Sequence, residues 1–322
     1  MNVWAADAIR VVRAAHRDTP LRELSGVVLK DESVLPTGST KYRTVAAMFC
    51  HAIANGQMGA DTQVVAATAG AVAAAGARIA TSLGLPFTAL VPARTPPEVL
   101  ARIESEGGRW EFAEGPPAGL QTEARALADR WGGHFLDHFT DADPAVAAWP
   151  PTIADELFRQ LAEPQWIVVG AGTGATSSAI GRHLRTHGLP TRLAVVDPEN
   201  SAYFPAWASG ADDYGTGMPS RIPGIGRPRV EPGFHPGLPD LVIPVPDKDS
   251  IAALRWSHRN GIDAGPATGT NLCGVRHLRT AMGQTGTIVT IIGDGGAPYA
   301  GTHLDPGWVT AKGLDPDDEF SL

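Results

Sequence analysis

The sequence predicts an α/β fold of mostly parallel sheets covered by helices. Three observations carry that expectation. Short apolar runs rich in Val, Ile and Ala alternate with longer alanine-rich segments, and glycine or proline punctuates the joints. The run "GTIVTIIGDGG" (286–296) is continuously apolar in its strand portion, the pattern of a strand covered on both faces. With 322 residues the chain is longer than the roughly 250–300 at which single cores stop growing, so two lobes are expected.

The elements follow in order. "MNVWAADAIRVVRAAHRD" reads as an amphipathic helix with mixed charges and lacks the apolar stretch of a signal peptide. "GVVLKD" (26–31) is a strand, and "KYRTVAAMFCHAIANG" (41–56) a helix closed by Asn55-Gly56. "TQVVAAT" (62–68) is a strand, "AVAAAGARIATSLG" (71–84) a helix and "FTALVPA" (87–93) a strand. "TPPEVLARIESEG" (95–107) is a helix with Pro96 and Pro97 at its start, where the missing N–H groups cost nothing, and "RWEFAE" (109–114) is a strand. The alternation resumes at "PQWIVVGAGTGAT" (164–176), "AIGRHLRTHG" (179–188) and "TRLAVVDPEN" (191–200). Residues 202–240, rich in Gly and Pro and poor in periodicity, read as loop with short elements.

Composition narrows the function. Hydrophobic content of 43% and charged content of 19% are those of a globular enzyme. A net charge of −8 without any Lys/Arg cluster argues against nucleic acid as a partner. No apolar run reaches the ~20 residues of a membrane span, and the expectation is a cytoplasmic protein. Cys50 and Cys273 are too few for a disulfide framework or a thiolate metal site and read as small buried hydrophobes. His134 and His138 are four apart but lie at a strand end and loop with no third ligand, so no metal is expected. His183, His187, His235 and His258 read as surface or packing residues.

Ligands of open parallel sheets bind at the carboxyl ends of strands, and three loops there could carry chemistry. In "PTGSTK" (36–41), Thr37, Ser39 and Thr40 supply hydroxyls and Gly38 allows close backbone approach. Lys41 sits at a helix start, where a positive helix end and burial both lower an ammonium pKa and favour a nucleophilic amine; a solvated helix-start lysine is the bland alternative. In "GAGTGAT" (170–176), bare backbone N–H groups at a helix start suit a phosphate, with Thr173 and Thr176 adding hydroxyls. That loop also fits a dinucleotide fingerprint, with Asp197 ending the next strand as the ribose-binding acid, which keeps a nicotinamide-dependent oxidoreductase open. "AATAGAV" (66–72) could hold a carboxylate at its helix start, although only Thr68 contributes a hydroxyl.

Taken together, these loops resemble the fold-type II pyridoxal phosphate enzymes of the cysteine synthase and cystathionine β-synthase group, over residues 20 to 305. "KDESVLPTGSTKYR" resembles the family block "K.E..nPtGS.K.R", and "GAGTGAT" the phosphate loop "GtGGT". "GIGRPRVEP" (224–232), "TGTNL" (268–272) and the ending Asp294-Gly295-Gly296-Ala297-Pro298-Tyr299 are shared with the actinobacterial cysteine desulfhydrase-like branch. The resemblance implies a two-lobed, tryptophan synthase β-like α/β fold. Residues 1–40 plus 145–322 would form a large cofactor-binding lobe and 41–144 a smaller inserted one. It implies pyridoxal 5'-phosphate bound as a Schiff base on Lys41, with Gly172, Thr173, Gly174, Ala175 and Thr176 on the phosphate. Asp294 is the candidate partner of the pyridine nitrogen; a one-residue shift would put Gly295 there. Substrate would meet Thr68, Ala69, Gly70, Ala71, Val72, His138, Gly224, Ile225 and Gly226. The implied reaction is β-elimination or β-replacement on a cysteine- or O-acetylserine-like amino acid through an aminoacrylate, in a homodimer.

The sequence departs from the family at the carboxylate loop. The usual [ST]-S-G-[NS]-[ST] reads here Thr68-Ala69-Gly70-Ala71-Val72, and the usual glutamine of "(D/Q)QF" is His138. Each hydrogen bond to a charged group contributes about 1.5–3 kcal/mol, so losing two or three such donors costs several powers of ten in affinity. That predicts a specialised substrate, with His138 and backbone N–H groups taking over the carboxylate. A non-catalytic binding protein of the same fold is the remaining alternative.

Overall fold

The computed structural model describes residues 2–315 and 318–322. From the N-terminus run α1 (Val3–Ala14), β1 (Leu21–Leu24), β2 (Val27–Asp31), α2 (Lys41–Ala54), β3 (Val64–Ala67), α3 (Ala71–Ser82) and β4 (Phe87–Val91). There follow α4 (Pro97–Ser105), β5 (Arg109–Phe112), α5 (Leu120–Arg130), β6 (His134–Phe135) and α6 (Ala142–Ala148). The remainder comprises α7 (Ile153–Gln160), β7 (Trp166–Gly170), α8 (Ala175–Thr186), β8 (Arg192–Pro198), α9 (Tyr203–Ser209) and β9 (Leu241–Val245). Last come α10 (Asp247–Arg259), α11 (Pro266–Thr280), β10 (Ile288–Ile292) and α12 (Pro306–Ala311). Among the described residues no helix is long and apolar enough to cross a membrane.

The chain divides into two compact units, one of Met1–Arg17 with Leu35–Pro150, the other of Asp18–Val34 with Pro151–Leu322. The first unit holds a four-stranded sheet in the order β5-β4-β3-β6, parallel at every pairing. All of β3 and β4 is buried, which is why "VVAA" and "FTALV" carry no polar alternation. Helix α1 turns Ala5, Ala8, Ile9 and Val12 inward at helical spacing, and Asn2 caps it by accepting from the Ala5 N–H at 2.8 Å.

The second unit holds a six-stranded sheet in the order β1-β2-β10-β7-β8-β9, parallel except for the β1–β2 hairpin. Its two faces are sorted by the two-residue period of a strand. Trp166, Val168, Ala194, Val196 and Ile243 pack to one side with Leu272 and Val275 of α11. Ile167, Val169, Leu193, Val195 and Val242 pack to the other with Ile180 and Leu184 of α8.

One polar cluster lies inside the second unit. Lys30 of β2 and Glu156 of α7 are both fully enclosed and form an ion pair. The Lys30 ammonium also donates to the Thr19 carbonyl and to Gln160 Oε1, each at 2.7 Å. The Thr19 hydroxyl donates to Glu32 Oε1 at 2.7 Å, drawing the second acid of "KDE" into the same network. The hydrogen bonds from Thr19 and the ammonium's bonds to Thr19 O and Gln160 offset part of the cost of burying the pair, and removing one member strands the other charge. Glu156→Ala is therefore expected to destabilise the protein by about 3–5 kcal/mol in urea unfolding. The double variant Lys30→Met/Glu156→Leu should recover most of that loss; equal destabilisation of both variants would contradict this account of the cluster.

Candidate active site

The loop after β7 is shaped by one backbone choice. Gly174 sits at the start of α8 with φ of 89°, in the left-handed region. A Cβ there would lie 2.3 Å from the Gly233 carbonyl group, so the loop is pressed directly onto the backbone of the 233–234 segment. The Ser178 hydroxyl fastens the same contact by donating to the Gly233 carbonyl at 2.7 Å.

The loop's carbonyls are engaged on its own side. Ala171 O accepts from the Gly226 N–H at 2.8 Å, Gly172 O accepts from the Tyr203 hydroxyl, and Gly174 O accepts from Ser178 N and Ser177 Oγ at 2.8 and 2.9 Å. The first amides of α8, by contrast, have no helical acceptors. The carbonyls of Ala171, Gly172 and Gly174 are thus occupied and Ala175 N donates to Thr173 Oγ1 at 3.4 Å, while the other first amides of α8 and the Thr173 and Thr176 hydroxyls supply donors. Gly172, Thr173, Gly174, Ala175 and Thr176 therefore fit a phosphate by the chemistry of their donor set.

Four further features belong to the second unit. Ile225 packs against Gly170, where a Cβ would come within 2.8 Å, and Gly224 and Gly226 both adopt positive φ on either side of it. The loop 224–226 is thereby seated on 170–171. Tyr203, fully buried, stacks on Phe234 at 4.1 Å while its hydroxyl reaches Gly172. Asp197 is 2% exposed and accepts from Phe204 N at 2.7 Å; burial pushes its carboxyl up to about 6, against the lowering effect of hydrogen bonds from Ser201 and Phe204. Asp197 therefore anchors the start of α9. Asp294, just beyond β10, accepts from the Gly265 N–H through its carbonyl at 2.8 Å and from the Tyr299 hydroxyl through Oδ2 at 2.5 Å.

In the first unit, Lys41 is the first residue of α2 and is partly buried. The preceding loop turns at Gly38, with φ of 67° and its N–H donating to Leu35 O at 2.7 Å. Arg102 of α4 clamps the loop by donating to Thr37 O at 2.7 Å, and Ser39 is buried with its hydroxyl accepting from Lys41 N at 3.3 Å.

Two more predicted segments share one edge of the first unit's sheet. Strands β3 and β6 are parallel neighbours paired Val64↔His134 and Val65↔Phe135, so Thr68–Val72 and His138 both follow from their carboxyl ends. Gly70 starts α3, its N–H donating to Thr68 Oγ1 at 3.3 Å, and Ala69, Ala71 and Val72 add no polar side chain. His138 is buried, with its ring 4.1 Å from that of Phe139. His134 lines a cavity with His51, Leu136 and Asp141, and burial lowers its pKa to about 4. Cys50 and Cys273 are buried, with thiols pushed up to about 11 and about 12 by desolvation.

Several residues that shape these loops escaped the sequence reading. Tyr203 lies in the stretch read as irregular. Helix α5, bracketed by Gly119 and Gly132-Gly133, is likewise absent from that reading. Asp137 had a signal in "LDHF", since an aspartate often accepts from N–H groups two and three residues on.

Comparison with known proteins bears directly on this arrangement. The family model described as "Pyridoxal-phosphate dependent enzyme" matches residues 12–294. The chain is 44% identical over 338 aligned positions to the L-cysteine desulfhydrase Cds1 of Mycobacterium tuberculosis, covering 97% of this chain and 91% of that protein. It is 27% identical to the N-(2-amino-2-carboxyethyl)-L-glutamate synthase of Ralstonia nicotianae, over 88% of this chain and 83% of the other. Among solved structures, a hydrogen sulfide-producing enzyme from Fusobacterium nucleatum shares the fold with a TM-score of 0.82 at 23% identity, covering 93% and 92% of the two chains. O-ureido-L-serine synthase does so with a TM-score of 0.81 at 23% identity, covering 97% and 96%.

Two glycine substitutions test the loop's construction. Gly174→Ala is expected to cost more than the ~1–3 kcal/mol of left-handed strain alone, because the new methyl also meets the Gly233 backbone. Gly224→Ala, at a similar φ of 85° but with open space around its Cβ, should bear only the strain. Equal losses in chemical denaturation would contradict the close approach at Gly174.

Proposed function

The chain belongs to the pyridoxal-phosphate dependent enzyme family, in its fold-type II cysteine synthase-like group, and on that premise we propose that it catalyses β-elimination or β-replacement on a cysteine- or O-acetylserine-like amino acid. The observation that carries the proposal is the 44% identity to a cysteine desulfhydrase across 97% of the chain, together with a donor-lined 172–176 loop. In this reading the Lys41 amine would hold the cofactor covalently, and the amides of 172–176 with the Thr173 and Thr176 hydroxyls would hold its phosphate. Asp294 is assigned to the pyridine nitrogen, its carboxylate supported by the Tyr299 hydroxyl. Pyridoxal phosphate supplies an electron sink for the charge that develops at the substrate Cα.

The chain's own residues do the rest. Once released, the Lys41 amine removes the Cα proton, and the leaving group departs from Cβ. For cysteine the balance is one cysteine plus one water giving hydrogen sulfide, pyruvate and ammonia. In replacement, a second nucleophile takes the Cβ position instead. The Thr68 hydroxyl, the amides at the start of α3 and His138 are assigned to the substrate carboxylate, and Gly224, Ile225 and Gly226 to the substrate's other side. With Ala69 and Ala71 in place of hydroxyl and amide side chains, the carboxylate relies on fewer donors than in the family pattern, which supports a specialised substrate. The reading includes a homodimer, which light scattering of the purified protein would test.

A nicotinamide reading of the 170–175 loop requires Asp197 to present its carboxylate to a ribose. That carboxylate is 2% exposed and bonded to Phe204 N, so the reading loses its acid. A non-catalytic role predicts bound cofactor without turnover on any amino acid.

Two experiments test the proposal. The purified protein should show the visible absorbance of bound pyridoxal phosphate, changed by L-cysteine or O-acetyl-L-serine with release of sulfide or acetate. Lys41→Ala should abolish both the band and the turnover; product formation persisting in that variant would remove Lys41 from the chemistry. Separately, Ala69→Ser/Ala71→Asn should raise kcat/KM on one of those two amino acids by about tenfold, the order of one restored charged hydrogen bond. No gain would sink the loop-based account of substrate choice.

A further inference from the structure

The two carboxylate-binding segments of the first unit are tied to one helix. Gln121 and Arg125 are four residues apart on α5 and so project from the same face. The Gln121 amide donates to Ala67 O at 3.2 Å, at the last residue of β3 and immediately before Thr68. The Arg125 guanidinium donates to Asp137 Oδ2 at 2.6 Å, immediately before His138, while lying over the Phe135 ring at 4.8 Å. Asp137 in turn uses Oδ1 to accept from Phe139 N and Thr140 N, both at 3.2 Å, and its own carbonyl accepts from Asp141 N at 2.8 Å. On the other side of the His138 peptide the Leu136 carbonyl accepts from His138 N at 3.1 Å, so Asp137 and Leu136 both brace that peptide.

We infer that Asp137, braced by Arg125 of α5, is the positioning residue that sets His138 at a fixed distance from the Thr68–Val72 loop, and so determines how well the substrate carboxylate is held. The inference rests on the proposed role of His138. Its physical basis is that a single imidazole replacing an amide of different length must be placed by its backbone. The turn that places it is closed by one carboxylate accepting two N–H groups, and the register of β3 with β6 carries that placement to the neighbouring loop. The Arg125 ion pair is half exposed, so it orients the Asp137 carboxylate more than it stabilises the fold.

Steady-state kinetics of the holoenzyme on the amino acid it turns over fastest test this. Asp137→Ala is expected to raise KM about tenfold, the equivalent of one charge-assisted hydrogen bond, with kcat within about twofold. Asp137→Asn keeps an acceptor for Phe139 N and Thr140 N and should stay within about threefold of the parent KM. His138→Ala should raise KM alone, and Asp137→Ala/His138→Ala should be no worse than His138→Ala, since coupled residues are not additive. If His138→Ala leaves KM unchanged, the carboxylate reading of His138 falls and the inference with it. If His138→Ala raises KM but the double variant adds a further tenfold, only the inference is overturned, because Asp137 then acts through something other than His138. A loss in Asp137→Asn equal to that in Asp137→Ala likewise overturns it.

Discussion

The loops of the second unit all depend on where one strand pairs. Strand β10, the last in sequence, is hydrogen-bonded in parallel between β2 and β7, with Val289 opposite both Val28 and Ile167. That insertion aligns the carboxyl ends of β2, β10, β7 and β8 along one edge. It places the 170–176 loop and the Asp294 turn on that edge although more than a hundred residues separate them. The pairing is reinforced from the side chains, for Thr290 donates to Val168 O at 2.8 Å and Asn271 of α11 donates to Ile291 O at 2.9 Å. Both polar groups lie in an apolar interior, where only those acceptors compensate their burial.

Around that edge the chain arranges donors and acceptors asymmetrically. The 170–176 loop has its carbonyls engaged by Gly226, Tyr203 and Ser178, and it leads its amides into α8. A glycine-rich turn by itself would present both polarities to a ligand. The engagement of those carbonyls comes in part from residues outside the motif, above all the buried Tyr203 stacked on Phe234. The first unit shows the same division of labour. The loops that carry Lys41 and His138 are each held by an arginine from a helix elsewhere, Arg102 on the Thr37 carbonyl and Arg125 on Asp137.

The alanine content of the 68–72 loop is a matter of side chains and leaves the backbone intact. The backbone at Gly70 still starts a helix, with Ala73 and Ala74 donating to its carbonyl. Relative to the family pattern the loop keeps that helix start, while Ala69, Ala71 and Val72 add no side-chain polarity. The buried network of Lys30, Glu156, Thr19 and Glu32 gives the first half of the "KDESVLPTGSTK" block a separate task. That half fixes β2, from which the loop leading to Lys41 departs.

Local pattern alone determined much of this protein. Continuous Val/Ile runs and helix-stopping glycines were legible because burial on two faces and left-handed turns each demand particular residues at fixed spacing. Only the tertiary structure decided what those demands do not reach. Helix α11 was illegible because its Gly269 lowers helix propensity to let the Ser250 carbonyl come within 2.1 Å of where a Cβ would stand. Asp197, which reads as a ribose ligand, is turned inward to Phe204 N. Tyr203 and Arg125 act on loops 31 and 12 residues away through single hydrogen bonds, and no local spacing encodes such a contact. Short-range geometry is written in neighbouring residues, whereas the partner of a side chain across the fold is set only once the sheets have chosen their strand order.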